Sequence, residues 1–125
     1  MAITIDRSIA LLLAAQTDQG SIPASTVHDV YQYGWLRDGS WCAYALDLAG
    51  HSTAAAAWHD WVARTLMAHR DRVDEAVSAV RADAVDGRVM MPARFTLDGE
   101  EEGLGEVRRS GPTCRRTATG SGSGH

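Results

Sequence analysis

The segment from Ile9 to Ala15 is almost entirely apolar, and it limits what a chain of this length can fold into. Its pattern is that of a helix, with Ile9, Leu12 and Leu13 on one stripe and further apolar side chains beside it. A helix that is apolar on most sides must be buried on most sides, so it needs more partners than one hairpin supplies. A chain of 125 residues, however, can bury only a single modest core.

Periodicity predicts three helical segments. The first runs from Asp6 to about Gln16, with Asp6 or Ser8 as its cap. The second spans about 40 to 49, carries Trp41, Tyr44, Ala45 and Leu48 at helical spacing, and ends at Gly50 in a left-handed cap. The third begins at Ser52 or Thr53, and its apolar stripe continues toward Ala82 with or without a bend. Its apolar face consists of Ala54, Ala57, Trp58, Trp61, Val62, Thr65 and Leu66.

The remaining segments are predicted to be loops or short extended stretches. Thr17 to Asp29 is an irregular loop, and a two-residue period in Tyr31, Tyr33 and Trp35 predicts an extended segment with three rings on one side. Asp86-Gly87 is a turn. Arg88 to Leu97 is extended but contains Pro92, which limits it to an edge strand or a loop, and 98–106 is a loop.

The chain changes character at Val107. All 16 acidic residues lie in 1–106, whereas 107–125 contains four arginines, no acid and no apolar pattern. We therefore expect one folded unit over 1–106 and an unstructured tail over 107–125.

Several functional classes are disfavoured by composition. The acidic body argues against nucleic-acid binding, and no apolar run approaches the roughly 18 to 20 residues of a membrane span. Cys42 and Cys114 form no C-x-x-C pair, and no two histidines have i, i+4 spacing, so neither a metal nor a cofactor is expected. The segment before Ile9 lacks the positive charge of a signal peptide, which favours the cytoplasm.

The densest chemical cluster is Y-Q-Y-G-W-L-R-D-G, residues 31–39. Aromatic rings pack on the C–H faces of sugars, while the Asp38 carboxylate, kept ionised by Arg37, would accept hydrogen bonds from hydroxyls. The alternative is that the rings are core and that Arg37 and Asp38 form a structural ion pair. The glutamates at 100, 101, 102 and 106 are interpreted as a solvated loop, although one of them could serve as a general acid.

The segment Y-Q-Y-G-W-L-R-D-G-S-W-C-A-Y-A-L-D-L-A-G-H, residues 31–51, resembles the aromatic-R-D signature of glycoside hydrolase family 15, the glucoamylase, glucodextranase and trehalase-like enzymes. Further segments resemble that family in its order, and together they cover about residues 6 to 106. They are S-I-A-L-L-L-A-A-Q-T-D-Q-G-S-I-P-A-S, W-H-D-W-V-A-R-T-L and R-F-T-L-D-G-E-E-E-G-L-G-E.

The resemblance implies an all-α fold, the first three or so of the twelve helices of an (α/α)6 toroid, and inverting exo-hydrolysis of α-glucosidic bonds in carbohydrate metabolism. It also implies that Arg37 and Asp38 bind hydroxyls of the terminal glucose and that Tyr33 and Trp35 line the same subsite. No catalytic role carries over, because the family's two catalytic glutamates come from later segments.

The tail departs from the family, which continues after G-L-G-E with a motif like Q-x-D-G-Y-G-x-W-L-W-A. Shifting the reading frame, with permitted third bases, lets 110–125 be read as E-W-P-N-L-Q-T-D-G-Y-G-L-W-L-W-A. We therefore expect a frameshift near Val107, which sequencing of the DNA would test.

Two hypotheses follow for the function. The first is a truncated glycosidase that keeps its glucose-binding residues, lacks the catalytic pair and is inactive alone. The second is a small non-enzymatic helical interaction module, which predicts a stable chain that unfolds cooperatively. Oligomeric state and the identity of the α-glucoside stay open.

Overall fold

The computed structural model describes residues 2–101, in which four helices precede the second strand of a small sheet. The molecule is mostly helical, as predicted, and the antiparallel sheet is an addition to the all-α expectation. The elements are α1 (Ala2–Ala15), a single 3-10 turn (Asp29–Tyr31), β1 (Tyr33–Trp35), α2 (Leu36–Leu48), α3 (Ser52–Ala68), α4 (Arg70–Arg81) and β2 (Arg94–Thr96).

The helix boundaries confirm part of the prediction. Helix α3 begins at Ser52, and Gly50 has a φ of +89°, the left-handed conformation that glycine adopts after a helix end. Of the two alternatives for the stripe toward Ala82, the structure shows the one with a break, because α3 ends before His69 and α4 starts at Arg70. Helix α2 starts at Leu36, four residues before the predicted start, so Arg37 and Asp38 lie in its first turn. The predicted tail, 107–125, lies outside the described residues.

The core forms where α2 crosses α3. Trp58 and Trp61 are buried with ring centroids 5.0 Å apart, and Leu46 and Phe95 complete the largest buried side chains of this cluster. Helix α2 presents small residues to the tryptophans: Gly39 lies so close to the Trp58 ring that a Cβ atom there would collide with it. The packing therefore depends on the absence of a side chain at this position.

Helix α1 is present but starts earlier than predicted. It begins at Ala2, before both predicted caps, and none of the residues 4–15 is buried. Ile9, Leu12 and Leu13 pack part of their surface against the core, whereas Leu11 is 63% exposed. The end of the helix is fixed by Gln16, whose side-chain amide donates to the carbonyls of Gly20 and Ala54, each at 2.9 Å. Only one face of this helix meets a neighbour among the described residues, which agrees with the expectation that it needs more partners than a chain of this length supplies.

The sheet joins two segments that are about 60 residues apart in sequence. Strand β1 pairs antiparallel with β2, in the register Tyr33 with Thr96, Gly34 with Phe95 and Trp35 with Arg94. The residues around Arg94 thus form the edge strand that the sequence allowed. Asp86-Gly87 lies in the predicted turn, where the Val89 amide donates to the Asp86 carbonyl at 2.9 Å. No helix within residues 2–101 is long and apolar enough to cross a membrane.

Candidate functional site

Arg37 and Asp38 lie side by side in the first turn of α2, immediately after β1. The chain passes directly from strand to helix at Trp35, and the Leu36 amide donates to the Ala93 carbonyl at 3.3 Å, which ties this junction to the β2 segment. A carboxylate in the first turn is favoured by the helix dipole. The Arg37 Nε donates to Asp38 Oδ1 at 3.3 Å, and the two side chains are 87% and 54% exposed.

The pair borders an open cavity of 330 Å³. Its lining consists of Trp35, Leu36, Arg37, Asp38 and Ala93. The structure therefore brings three of the four predicted sugar-site residues together around one concave surface. Because the Arg37 and Asp38 side chains are largely exposed, they are accessible to a ligand rather than committed to the core.

Tyr33 lies on the same strand as Trp35, but it is outside the lining of this cavity. Both rings meet the guanidinium of Arg94, whose Cζ atom is 4.5 Å from the Tyr33 ring centroid and 5.1 Å from that of Trp35. These distances are within the range of cation–π contacts. Tyr33 is therefore connected to the site through Arg94, whose guanidinium contacts both rings.

The prediction of three rings on one side of an extended segment is wrong for the first ring. Tyr31 lies in the 3-10 turn, is 51% exposed, and packs edge-on against His28 at 6.4 Å between centroids. The extended segment is only three residues long, because the turn at Asp29–Tyr31 precedes it directly.

A second cavity of 410 Å³ adjoins the first, and Trp35 lines both. Its charged lining residues are Arg72, Arg88, Arg94 and Glu101. Glu101 accepts a hydrogen bond from Arg72 Nε at 3.0 Å and lies 4.0 Å from His69 Nδ1. The Glu101 side chain is only 17% exposed, so interpreting it as part of a solvated loop was wrong. Glu100 is exposed, and Glu102 and Glu106 lie outside the described residues.

In each cavity one carboxylate lines the wall, Asp38 in the first and Glu101 in the second. Across the part of the chain that the structure describes, no three histidine, cysteine, aspartate or glutamate side chains gather as metal ligands do. A carboxylate, a guanidinium and an indole face around an open cavity suit a polyhydroxylated ligand.

Comparison with known proteins points to one enzyme class. No protein-family model matches the chain. The chain is 36% identical over 96 residues to an isomaltose glucohydrolase of Kribbella flavida, a match that covers 75% of this chain and 25% of that protein. It also superimposes on a wild-type glycosidase with a TM-score of 0.70 at 35% identity, over 78% of this chain and 27% of the other.

A glutamate-to-alanine variant of a glycosidase, solved in complex with glucose, superimposes with a TM-score of 0.71 at 35% identity and the same coverage. The chain is therefore a relative of glycoside hydrolases. It spans about a quarter of the length of the relatives that it matches.

Proposed function

We propose that this chain supplies the part of a family 15 glycoside hydrolase that binds the terminal glucose of an α-glucoside, and that its helices begin an (α/α)6 toroid. The observation that carries the proposal is the meeting of Trp35, Arg37 and Asp38 around one open cavity. The glycosidase relatives, one of them in complex with glucose, support a sugar as the ligand.

Each residue has a distinct task in this proposal. The Asp38 carboxylate accepts hydrogen bonds from two sugar hydroxyls, and Arg37 donates to a hydroxyl while it orients Asp38. The indole of Trp35 packs against the C–H face of the glucose ring. Tyr33 supports that indole from the same strand.

The proposal assigns no catalytic role to residues 2–101. Inversion requires a carboxylic acid and a second carboxylate about 6.5 to 9.5 Å apart, on either side of the scissile bond. We propose that both groups belong to segments outside the described residues, and that the 125-residue chain by itself hydrolyses no glycoside. The cytoplasmic location stays a prediction.

A direct test is titration of the 15N-labelled chain with glucose, isomaltose, maltose and trehalose. We expect weak binding that shifts the amide resonances of Arg37 and Asp38 and that Asp38→Asn abolishes. Asp60→Asn, an exposed carboxylate on α3, is the matched control. Shifts that are equal in Asp38→Asn and in the unaltered chain would contradict the proposal.

A stronger test places residues 6–101 of this chain in the isomaltose glucohydrolase of Kribbella flavida, in exchange for its matching segment. We expect the chimera to hydrolyse isomaltose. Asp38→Asn should lower its kcat/KM about 10- to 100-fold, because a hydrogen bond to a charged group is lost. Asp60→Asn should leave kcat/KM unchanged, and an equal loss in both variants would remove the role of Asp38.

A further inference from the structure

We infer that Arg94 is a positioning residue for the sugar cavity: it sets the orientation of the Trp35 and Tyr33 rings. The inference rests on the proposed function, since it concerns the wall of that cavity. The Arg94 guanidinium lies against both rings, with its Cζ atom 4.5 Å from the Tyr33 centroid and 5.1 Å from the Trp35 centroid.

The backbone of Arg94 is held in place from several sides. Arg94 is the direct cross-strand partner of Trp35, and its neighbour Phe95 is fully buried. The preceding segment is fixed by Arg72, which donates to the carbonyls of Arg88 at 2.9 Å and Met90 at 3.3 Å. The guanidinium therefore reaches the rings from a rigid base, which is what a positioning group requires.

Trp35 has less support than the two core tryptophans. The indole N–H of Trp58 donates to Ser40 Oγ at 3.4 Å, and that of Trp61 donates to the Leu97 carbonyl at 3.0 Å. The indole nitrogen of Trp35 is buried but makes no hydrogen bond among the described residues. Its ring orientation therefore depends on packing, and the guanidinium is a large planar surface against it.

The orientation of Trp35 matters because this residue lines two cavities. It lines the 330 Å³ cavity beside Asp38 and also the 410 Å³ cavity beside Glu101. If the indole turned toward one cavity, the other would widen, and the surface offered to a sugar would change. By holding the indole, Arg94 fixes the width of the sugar cavity without lining it.

The experiment uses the full chain with Arg94→Met, which removes the charge and the planar group, and Arg94→Lys, which keeps the charge. Arg81→Met, an exposed arginine at the end of α4, is the control. The first readout is the set of four indole N–H resonances, assigned with Trp35→Phe. The second is the affinity for isomaltose and glucose, measured by titration.

We expect Arg94→Met to shift or broaden the Trp35 resonance while those of Trp58 and Trp61 stay in place, which also shows that the core is folded. In Arg94→Met the affinity for sugar should fall about two- to fivefold. In Arg94→Lys the fall should be smaller, because a lysine retains part of the cation–π contact. Arg81→Met should change neither readout.

An unmoved Trp35 resonance in Arg94→Met would overturn the inference. A rise in sugar affinity would also overturn it, because it would mean that Arg94 occupies the ring face that a sugar needs. If the Trp35 resonance moves but the unaltered chain binds neither sugar, the ring-positioning role stands and the proposed function fails.

Discussion

The two faces of α2 differ in what covers them. On one face Gly39, Ala43 and Leu46 are buried against α3. On the other, Trp41 is 67% exposed and Leu48 is 71% exposed. The larger apolar side chains thus lie on the open face, and the smaller residues form most of the packed one.

The packed face contains small residues because of what it meets. The Trp58 ring lies directly on Gly39, so the bulk of this interface comes from α3 and the fit depends on space left by α2. The open face begins with Arg37, which shares its helical stripe with Trp41 and Leu48. The sequence pattern places Trp41, Tyr44, Ala45 and Leu48 at helical spacing, but apolarity alone does not tell which face of the helix has a neighbour.

The largest expected effect is a difference in stability between two tryptophan variants, one at Trp58, which covers the packed face of α2, and one at Trp41 on the open face. Trp58→Ala should lower the free energy of unfolding by about 3–5 kcal/mol, because a fully buried ring leaves a cavity. Trp41→Ala should change it by less than about 0.5 kcal/mol, because that ring is mostly exposed. Urea denaturation followed by far-UV circular dichroism measures both, and similar losses in the two variants would show that α2 is packed on both faces.

A second prediction concerns the space under the Trp58 ring. Gly39→Ala gains about 1 kcal/mol of helix propensity, but overpacking against a buried ring costs about 1–3 kcal/mol, so we expect a net loss of up to about 2 kcal/mol. The ring has little room to yield, because it packs on Trp61.

Gly87→Ala is the matched control for this substitution, since nothing lies within 4 Å of its added Cβ. It should stay within about 0.5 kcal/mol in the same urea experiment. A stabilised Gly39→Ala would mean that propensity outweighs the collision and that the packed face is looser than the structure indicates.

Local signals in the sequence predicted much of the helical structure. The left-handed Gly50 follows from capping chemistry within the same few residues. The start of α3 at Ser52 agrees with the onset of the apolar stripe, although its N-cap residue His51 makes no side-chain capping hydrogen bond. Strand pairing between Trp35 and Arg94 could not be predicted in this way, because it joins distant segments. The same holds for Glu101, whose partial burial depends on Arg72 from α4 and has no signature in its own run of glutamates.

The candidate site was predicted in part. Arg37, Asp38 and Trp35 line one cavity, as a shared subsite requires, because they are consecutive or nearly so across a strand-to-helix junction. The position of Arg94 in the site was not predicted, although its guanidinium contacts both the Tyr33 and the Trp35 ring.

The next prediction concerns the charge of Asp38, whose side chain is 54% exposed. Asp38→Asn is expected to lower the free energy of unfolding by no more than about 0.5 kcal/mol, because exposed ion pairs contribute little. Urea denaturation at low and moderate salt checks this expectation. A larger loss would place Asp38 in the structural framework and weaken its assignment to ligand binding.

The smallest expected effect is a change in the pKa of Cys42, which follows Asp38 by one turn of α2. Burial, and secondarily the negative charge of Asp38, raise the pKa of the Cys42 thiol above its ordinary value of 9.0. The folded state therefore holds this proton more tightly than the unfolded chain does, and stability falls as the pH rises through that ordinary value.

Since only the thiolate reacts, alkylation by iodoacetamide in a Cys114→Ser background should show its pH midpoint above 9.0. Asp38→Asn should move the midpoint down, but not all the way to 9.0, because burial is the larger cause. Asp47→Asn, on the same helix, should leave it unchanged. The same midpoint in Asp38→Asn and in the unaltered chain would mean that the Asp38 charge does not act on the Cys42 thiol.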